Sequence, residues 1–551
     1  MVVDESWRSD LERWLEPFLA GLSHPARRRM CPLYIAGLIG PGDRKSVQPM
    51  AARAGEVGYD QLHHFVAAGV WDSAPLDAAL LSEADRLVGG GDAFLVIDDT
   101  AMPKKGRHSV GVAPQYASSL GKNANCQTLV SVTLASREVP VMASLRLFLP
   151  ESWTNDPERM ARAKVPEDRR AALTKPEIAI KEIDRIKAAG VRFGCVLADA
   201  GYGMSAPFRQ ALSERGLSWA VGIPGRQKAY PADVAMIFPV AGHGRPRQHP
   251  IPDSKSLAAE KLLVEQPWRS VSWRRGTKGR LSARFAALRV RVADGPTQRI
   301  RDMGGQHLPG EEVWLIGEHR STGERKYYLS NLPADVTLKT LAGAIKARWI
   351  CEQAHQQLKE ELGLDHFEGR SWTGLHRHAL MTMIAYAFLQ SRRLTAAGRK
   401  KKESPGGRRT RACRLSDRRS STSSHGRHQR DARIAISRLR RTQQLVCQSS
   451  AKCGENPYLV LKKGAEAPCS YVCRRMPTHT TAAPIRASRA PWSAKAIVRL
   501  VLVALSFSFR ALISVCSGLT ASVTSVAICA SSSLTTVAAW SSVTRIDFSA
   551  R

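Results

Sequence analysis

The sequence predicts an α/β protein in which a mixed sheet with flanking helices follows a helical N-terminal region. Three observations support this prediction. Apolar residues recur at helical spacing within residues 1–88. Short, continuously apolar runs then alternate with helix-like stretches, as is typical of a sheet covered by helices. Residues 225–335 interrupt that alternation with β-like runs, which predicts a mostly β insertion inside the α/β domain.

Residues 1–88 are expected to form a helical N-terminal domain. Pro17 predicts a kink or a stop in its first helix, and further helices are expected at 47–53 and 76–88. The first helix is predicted by apolar residues that recur at helical spacing: Trp7, Leu11, Trp14, Leu15 and Phe18.

Residues 89–224 are expected to form the first part of the α/β domain. Its predicted strands lie at 94–97, 127–135, 139–149, 193–198 and 218–223. A helix at 175–189, and another that Ser205 caps, alternate with the later strands. Three strands, a helix, a strand, a helix and a strand is the element order of an RNase H-like domain.

Residues 336–390 are expected to complete this domain after the insertion. They begin with a helix at 341–362, for which Thr340 is the predicted N-cap, and end with a helix at 375–389. Within the insertion, strands are predicted at 285–292, 312–317 and 326–330.

Residues 391–551 have the composition of a largely disordered tail. Residues 390–551 hold 30 Lys and Arg against 6 Asp and Glu, about +24 of the net charge of +34. Chains dominated by Arg, Ser, Thr and Ala bury too little apolar surface to offset chain entropy. We interpret the tail as an out-of-frame translation, and a native tail is the open alternative.

Two functional interpretations of the tail are disfavoured. The run 511–530 has the length of a membrane span, but its Ser and Thr content and Gly518 argue against one. Four cysteines of the tail lack the two close pairs of a zinc ribbon. They are Cys447, Cys453, Cys469 and Cys473.

The remaining composition indicates a cytoplasmic protein with a polyanionic partner. The first 389 residues still carry about +10, which favours nucleic acid over membrane. Their cysteines are scattered without pairing, as in a reducing compartment, and the N-terminus lacks the basic and apolar regions of a secretory signal.

Two aspartates close predicted strands. Asp99 ends the apolar run that begins at Phe94, and Asp199 ends the later run at 193–198. An aspartate in such a place also caps a following turn or helix, so each residue taken alone has a structural explanation.

Arg348, Glu352 and Lys359 form a charged stripe on the predicted helix. At 3.6 residues per turn, positions i, i+4 and i+11 lie within about 40° of one another. Such a stripe can hold a carboxylate and a metal beside phosphates that the two cations grip, and a surface ion-pair row is the structural alternative. With the two strand-end aspartates, Glu352 completes an acidic triad typical of a metal-ion nuclease.

These motifs resemble the DDE transposases of bacterial insertion sequences, in the group with a Tyr-x2-Arg-x3-Glu-x6-Lys signature. The resemblance covers roughly residues 10–390. Ile345 occupies the tyrosine position of the signature. The matching pieces occur in the family's order: Asp98-Asp99-Thr100, Lys104-Lys105-Gly106, Ala198-Asp199-Ala200-Gly201-Tyr202-Gly203, and the helix with Arg348, Glu352 and Lys359.

The resemblance implies a transposase that cuts DNA at terminal repeats of its insertion sequence and joins the freed 3′-hydroxyl ends to target DNA. It implies double-stranded DNA as the partner, a homodimer on DNA, and no membrane. Residues 1–88 correspond to an accessory domain of the family, which leaves DNA-end binding and a packed helical cap as equal alternatives. A catalytically silent DNA-binding relic and an RNase H-like nuclease without strand transfer remain alternative functions.

The acidic triad suits Mg²⁺, with Mn²⁺ as an alternative, because both prefer oxygen ligands. We expect Asp99 to bridge two ions, Asp199 to bind one and Glu352 the other. Neighbours on a regular strand point to opposite faces, so Asp98 and Asp99 cannot both be ligands. The Asp-Thr pair of the family favours Asp99, and Asp98 stays the alternative.

The resemblance also implies DNA contacts. Arg348 and Lys359 are expected at phosphates that flank the scissile bond, and Lys104 and Lys105 are expected to guide the strand. His355 is expected to be an exposed helical residue, with a DNA contact as the alternative. Aromatic candidates for stacking on an unpaired base, for which core packing is the favoured role, are Trp268, Trp273 and Trp314.

Overall fold

The computed structural model describes residues 6–55, 57–136, 139–238, 249–276, 279–300 and 304–403. The tail prediction beyond residue 403, the membrane-span alternative and the four cysteines of the zinc alternative lie outside these residues. Within these ranges, no helix is both long and apolar enough to cross a membrane. The described cysteines are all buried and free: Cys31, Cys126, Cys195 and Cys351.

The N-terminal region is helical, as predicted. Pro17 lies inside the first helix, which continues beyond it to Ala20, so the proline does not stop the helix. The helices are α1 (Ser6–Ala20), α2 (Pro25–Ile39), α3 (Val47–Ala54), α4 (Tyr59–His63), which continues as a π-helical turn (His64–Ala68), and α5 (Ala74–Val88).

Strands and helices alternate from Phe94 onward. The strands are β1 (Phe94–Pro103), β2 (Ala113–Ala117), β3 (Lys122–Ser136), β4 (Val139–Leu147), β5 (Cys195–Ala198) and β6 (Trp219–Ile223). The helices are α6 (Glu151–Thr154), α7 (Pro157–Arg162), α8 (Lys175–Ala188), α9 (Ala200–Gly203) and α10 (Ala206–Glu214). Ser205 caps α10, as predicted, by accepting a hydrogen bond from the backbone N–H of Phe208.

The insertion is mostly β, as predicted. Its strands are β7 (Lys228–Pro231), β8 (Met236–Ile237), β9 (Ile251–Pro252), β10 (Leu257–Ala258), β11 (Arg269–Gly276), β12 (Gly279–Ile300), β13 (Gly304–His319) and β14 (Arg325–Ser330), with the short helix α11 (Ala259–Leu262). Strand β14 pairs with β6, so the insertion extends the central sheet.

The described strands form one large mixed sheet and a separate β8–β9 pair. The order of the large sheet is β10-β7-β12-β13-β14-β6-β5-β1-β3-β2, with β11 paired to β12 and β4 paired to β3. Strand β5 runs parallel to both β1 and β6, whereas β1 and β3 are antiparallel. This mixed sheet with flanking helices confirms the predicted fold class.

The predicted helix at 341–362 is two helices, α12 (Leu338–Ala347) and α13 (Trp349–Glu360), with Arg348 between them. The predicted cap Thr340 is wrong. Thr337 is the N-cap, because its backbone is extended and its hydroxyl accepts from the N–H of Thr340 at 3.2 Å. The chain then forms α14 (Trp372–Glu403), which is longer than the predicted closing helix.

Alternate residues of the central strands face different layers. Val96 of β1 and Leu197 of β5 share a core with Ile350 of α13, and we call this side of the sheet the α13 face. Leu95 of β1 belongs instead to a core that includes Ile183 of α8, on the side that we call the α8 face. The two aspartates that follow one another on β1 therefore project toward different layers.

Candidate active site

The ends of β1 and β5 bring two acids together. The parallel register pairs Ile97 with Ala198, so the next residues along the two strands are Asp98 and Asp199. Residues in register on parallel strands project from the same face of a sheet. Since Val96 projects to the α13 face, Asp98 does as well.

Asp98 is bound by the residues at the start of α13. Its Oδ2 accepts from Arg348 Nη1 at 2.6 Å and lies 3.1 Å from the Cys351 thiol. Its Oδ1 accepts from the backbone N–H of Asp99 at 2.8 Å. Burial and the negative charge of Asp98 raise the pKa of Cys351 well above its ordinary value, which keeps the thiol protonated and able to donate.

Asp99, the expected first metal ligand, projects to the α8 face. Its Oδ1 accepts from the Tyr202 hydroxyl and its Oδ2 from the Lys175 ammonium, each at 2.5 Å. Both carboxylate oxygens therefore already have donors. Asp99 lines a cavity of about 640 Å³ with Lys175, Tyr202 and Asp199.

Asp199 performs the structural role that strand-end aspartates often have. Its Oδ1 accepts from the backbone N–H groups of Gly201 and Tyr202 at 2.9 and 3.2 Å, so it caps α9. Burial raises its pKa, and the charge of Asp98 adds to that shift more than the charge of Asp99 does. Asp199 is therefore coupled more strongly to Asp98.

Glu352 lies one helical turn after Arg348 and shares its guanidinium. Arg348 Nη2 donates to Glu352 Oε1 at 2.7 Å while Nη1 holds Asp98. The Glu352 side chain is 62% exposed, whereas that of Asp98 is 14% exposed. One arginine thus joins the glutamate of the helix to the aspartate of the strand.

The acids of the α13 face suit a divalent cation by donor type. Asp98, Asp199 and Glu352 offer carboxylate oxygens, which Mg²⁺ prefers. Burial, and after it the charge of Asp98, raises the pKa of Asp199, whereas the charge of Arg348 lowers it. Among the described residues, no three acidic, His or Cys side chains converge on a metal position, and Glu352 turns toward Arg348 instead. Glu352 would have to leave Arg348 to join a metal.

The predicted DNA-contacting lysines differ in their surroundings. Lys104 donates to the backbone carbonyls of Asp365 and Phe367 at 2.9 and 2.8 Å, which ties the loop after β1 to the segment after α13. Lys105 is exposed. Lys359 lies half-buried in the last turn of α13, and burial lowers its pKa.

The expectation of an exposed His355 is wrong. It is 7% exposed, and its Nε2 lies 2.7 Å from the Ser131 hydroxyl of β3. Burial lowers the pKa of this imidazole to about 4. The inner face of α13 carries Cys351, Ala354 and His355, so the histidine packs against the sheet beside Asp98.

The three tryptophans of the insertion are packed, as favoured. The Trp268 ring contacts His319 edge to face, and the Trp273 ring contacts Phe285 in the same way. The Trp314 indole N–H donates to the carbonyl of Pro333 at 3.0 Å. Ile345, at the tyrosine position of the signature, is a buried residue of α12.

Sequence reasoning missed Cys351, Lys175 and Tyr202, and it ranked Asp98 below Asp99. A signal for Asp98 was present, because equal runs of four apolar residues form β1 up to Ile97 and all of β5, and Asp98 and Asp199 directly follow them. No comparable pattern marks Lys175, and the motif that contains Tyr202 does not indicate its contact with Asp99, because both contacts depend on how α8 and α9 pack.

The comparisons with known proteins agree with the motif. A family model described as DDE superfamily endonuclease matches residues 17–280. This stretch includes Asp98, Asp99 and Asp199 but ends before Arg348 and Glu352, so the match does not extend to the glutamate helix.

Among curated proteins, the chain is similar to the probable transposase for insertion sequence element IS701 of Microchaete diplosiphon, with 30% identity over 190 residues. The match covers 34% of this chain and spans less than half, 46%, of that relative.

Two solved structures show weak likeness. The piggyBac transposase in a synaptic complex with hairpin DNA is 10% identical, with 83% of this chain and 81% of that chain covered and a TM-score of 0.34. The NurA nuclease from Sulfolobus solfataricus is 9% identical, with 61% and 94% covered and a TM-score of 0.19. At such TM-scores, neither likeness bears on the fold or the function of this chain.

Proposed function

We propose that the chain is a DNA transposase, because its residues 17–280 match the family model described as DDE superfamily endonuclease. It cuts at the terminal repeats of an insertion sequence and joins the freed 3′-hydroxyl ends to target DNA. One observation carries the proposal: Asp98 and Asp199 follow paired strands in register, and the Arg348 guanidinium joins Asp98 to Glu352.

In this proposal Asp98 replaces Asp99 as the first ligand. Asp98 shares the α13 face with the Glu352 helix, whereas both oxygens of Asp99 are engaged by Lys175 and Tyr202. Divalent cations held by Asp98, Asp199 and Glu352 would activate the attacking water and stabilise the leaving 3′-oxygen. We propose Mg²⁺, with Mn²⁺ as the alternative, because the donors are all carboxylate oxygens.

The reaction has two in-line displacements. Water attacks the phosphorus at the element end, the bond from phosphorus to the 3′-oxygen breaks, and a 3′-hydroxyl is released. That hydroxyl then attacks a target phosphodiester, forms the new phosphorus–oxygen bond and displaces a target 3′-hydroxyl. The number of phosphodiester bonds is conserved in the second step, so it needs no nucleotide cofactor.

The cations of the site would orient the DNA. Arg348 would release Glu352 and contact a phosphate that flanks the scissile bond, because its planar guanidinium binds phosphate oxygens as readily as carboxylates. Lys359 and exposed Lys105 would contact the strand further along. Lys104 instead positions the loop after β1 through its two carbonyl contacts. Since two DNA ends must be processed, we propose a homodimer on double-stranded DNA.

The proposal is tested by cleavage of a labelled duplex taken from the DNA that flanks the coding sequence. Full-length protein is compared with Glu352→Gln and with the control Glu360→Gln, which changes another exposed glutamate of α13. We expect Mg²⁺-dependent nicking that Glu352→Gln lowers on the order of 10³-fold, since a metal ligand supplies several kcal/mol of transition-state stabilisation. Unchanged nicking by Glu352→Gln would refute the assignment.

The alternative functions give different products in the same assay. A transposase joins the labelled 3′-end to a target plasmid, whereas a nuclease without strand transfer only releases it. A silent relic binds the duplex and neither cuts nor joins it.

A further inference from the structure

A strongly basic β-ribbon lies beside the candidate active site. Strand β11 (Arg269–Gly276) pairs with the first residues of β12, 279–285, and we call this pair the arginine ribbon. Neither strand segment contains an aspartate or a glutamate.

One face of the arginine ribbon is polar and exposed. In the register of the two strands, Arg275 lies opposite Arg280, and Ser270 lies opposite Arg284. Arg280 and Arg284 are four residues apart, about 13 Å along the strand. The exposed residues that form this face are Ser270, Ser272, Arg275, Arg280, Ser282 and Arg284.

Neither strand pairing nor ion pairing explains this row of cations. Like charges directly opposite one another destabilise a strand pair, as Arg275 and Arg280 do here. No acidic partner of Arg275, Arg280 or Arg284 occurs among the residues that the structure describes. Charges that protect a sheet edge belong on the edge strand β11, but Arg284 lies on β12 where that strand also pairs with β13, opposite His319.

The opposite face of the arginine ribbon rests on the helices of the site. Arg274 stacks over Trp349 with its guanidinium carbon 3.9 Å from the ring centroid, and Lys346 Nζ lies 4.8 Å from the Trp273 ring. Trp349 directly follows Arg348, the residue that binds Asp98. The ribbon is therefore braced at the start of α13, where the proposed scissile phosphate lies.

We infer that the exposed face of the arginine ribbon binds backbone phosphates of the DNA duplex that enters the active site. The inference rests on the proposed function for the presence of DNA. Arginine and serine side chains both donate to phosphate oxygens, and such contacts set position without reading sequence. The three arginines, which have no acidic partner among the described residues, and the three serine hydroxyls complement a polyanionic backbone. Because Arg274 of the ribbon stacks on Trp349, a duplex bound there is positioned relative to α13.

The test measures binding of a fluorescent duplex of random sequence by full-length protein across about 50 to 300 mM NaCl. The triple variant Arg275→Gln, Arg280→Gln, Arg284→Gln is compared with a control that loses the same charge from exposed lysines. The control is Lys181→Gln, Lys255→Gln, Lys261→Gln. We expect the ribbon variant to flatten the slope of log K against log salt by about 2 to 3, and to weaken binding about 10-fold or more at low salt.

The outcomes separate this inference from the proposed function. An unchanged salt slope in the ribbon variant, or an equal change in the control variant, overturns the ribbon assignment. The transposase proposal still stands in that case if the intact protein cleaves the duplex. If the ribbon variant instead loses binding only to terminal-repeat DNA, only to double-stranded RNA or only to poly-glutamate, that result contradicts a contact with the DNA backbone. Failure of the intact protein to bind duplex DNA contradicts both proposals.

Discussion

At the scale of single residues, Asp98 and Asp99 are neighbours with different partners. Asp98 faces Arg348 and Cys351, and Asp99 accepts from Lys175 and Tyr202. We expect Asp98→Asn to lower Mg²⁺-dependent nicking on the order of 10³-fold, because a neutral amide is a poor ligand. Asp99→Asn should cost on the order of 10-fold, by loosening contacts on the other face.

The measurement that separates the two aspartates is the nicking rate at several Mg²⁺ concentrations. A lost metal ligand raises the concentration needed for half-maximal rate, so Asp98→Asn should respond to added Mg²⁺ more than Asp99→Asn does. A larger loss in Asp99→Asn than in Asp98→Asn would restore Asp99 as the first ligand and contradict the argument from strand register.

At the scale of secondary-structure elements, the sequence predicts the helices and strands that have a single apolar face. The strand expected at 127–135 lies in β3, and the helix expected at 175–189 coincides with α8 to within a residue. Helix α2 was not predicted, because three successive arginines and an internal proline obscure its buried face. The residues of that face are Met30, Cys31, Tyr34, Ile35 and Leu38.

The acids of the site were visible in the sequence, but their arrangement was not. A continuous helix was expected through Arg348, since no Gly or Pro lies between 344 and 362. The observed break coincides with the contact of Arg348 to Asp98, 250 residues earlier in the chain, which no local pattern reports. The inward turn of His355 likewise depends on Ser131 of another strand.

The contact between α14 and α2 should make the stability of the fold fall at low pH. His378 is fully buried, with Nδ1 2.8 Å from the Tyr34 hydroxyl and Nε2 3.0 Å from the carbonyl of Gly363. Burial lowers its pKa from 6.5 to about 4. The unfolded chain therefore binds the extra proton first, so the stability is fully present above pH 6.5 and is lost as pH falls toward 4.

Between pH 7.5 and 5, this one group should cost about 2 kcal/mol of unfolding free energy. Urea unfolding at the two pH values measures the loss, and the variant His378→Gln, which has no titrating ring, should lose correspondingly less than the wild type. Equal pH dependence in the two proteins would assign the acid sensitivity to other groups.

At the scale of the whole molecule, the N-terminal helices and the central sheet share one core. Buried residues from Trp7 of α1 to Phe388 of α14 belong to a single apolar cluster that includes β3 and β4. A partly buried ionic network crosses the same boundary. Asp77 of α5 pairs with Arg146 of β4 and with Arg185 of α8, and both arginines also bind Glu182.

Glu182 is the centre of that network, so its loss should weaken both regions together. It is 3% exposed and accepts from the Ser144 hydroxyl at 2.7 Å. The charges of Arg146 and Arg185 hold its pKa at about 2, against the burial that would raise it. Its contribution is present above pH 4.5 and is lost as pH falls toward 2. At neutral pH, Glu182→Gln should cost about 3 kcal/mol, because it removes a buried charge from two half-buried arginines and leaves Asp77 as their acidic partner.

Hydrogen exchange of the Glu182→Gln variant decides whether the N-terminal helices unfold with the sheet. Because the apolar core and the ionic network both span the boundary, protection should fall by the same free energy in α2 and in β3. The exposed Glu177→Gln on the first turn of α8 keeps a capping-box acceptor and loses only a charge near the helix N-terminus, so it should cost about 0.5 kcal/mol. Lost protection in α2 with unchanged protection in β3 would instead make residues 1–88 an independently unfolding domain, joined to a sheet that does not depend on it.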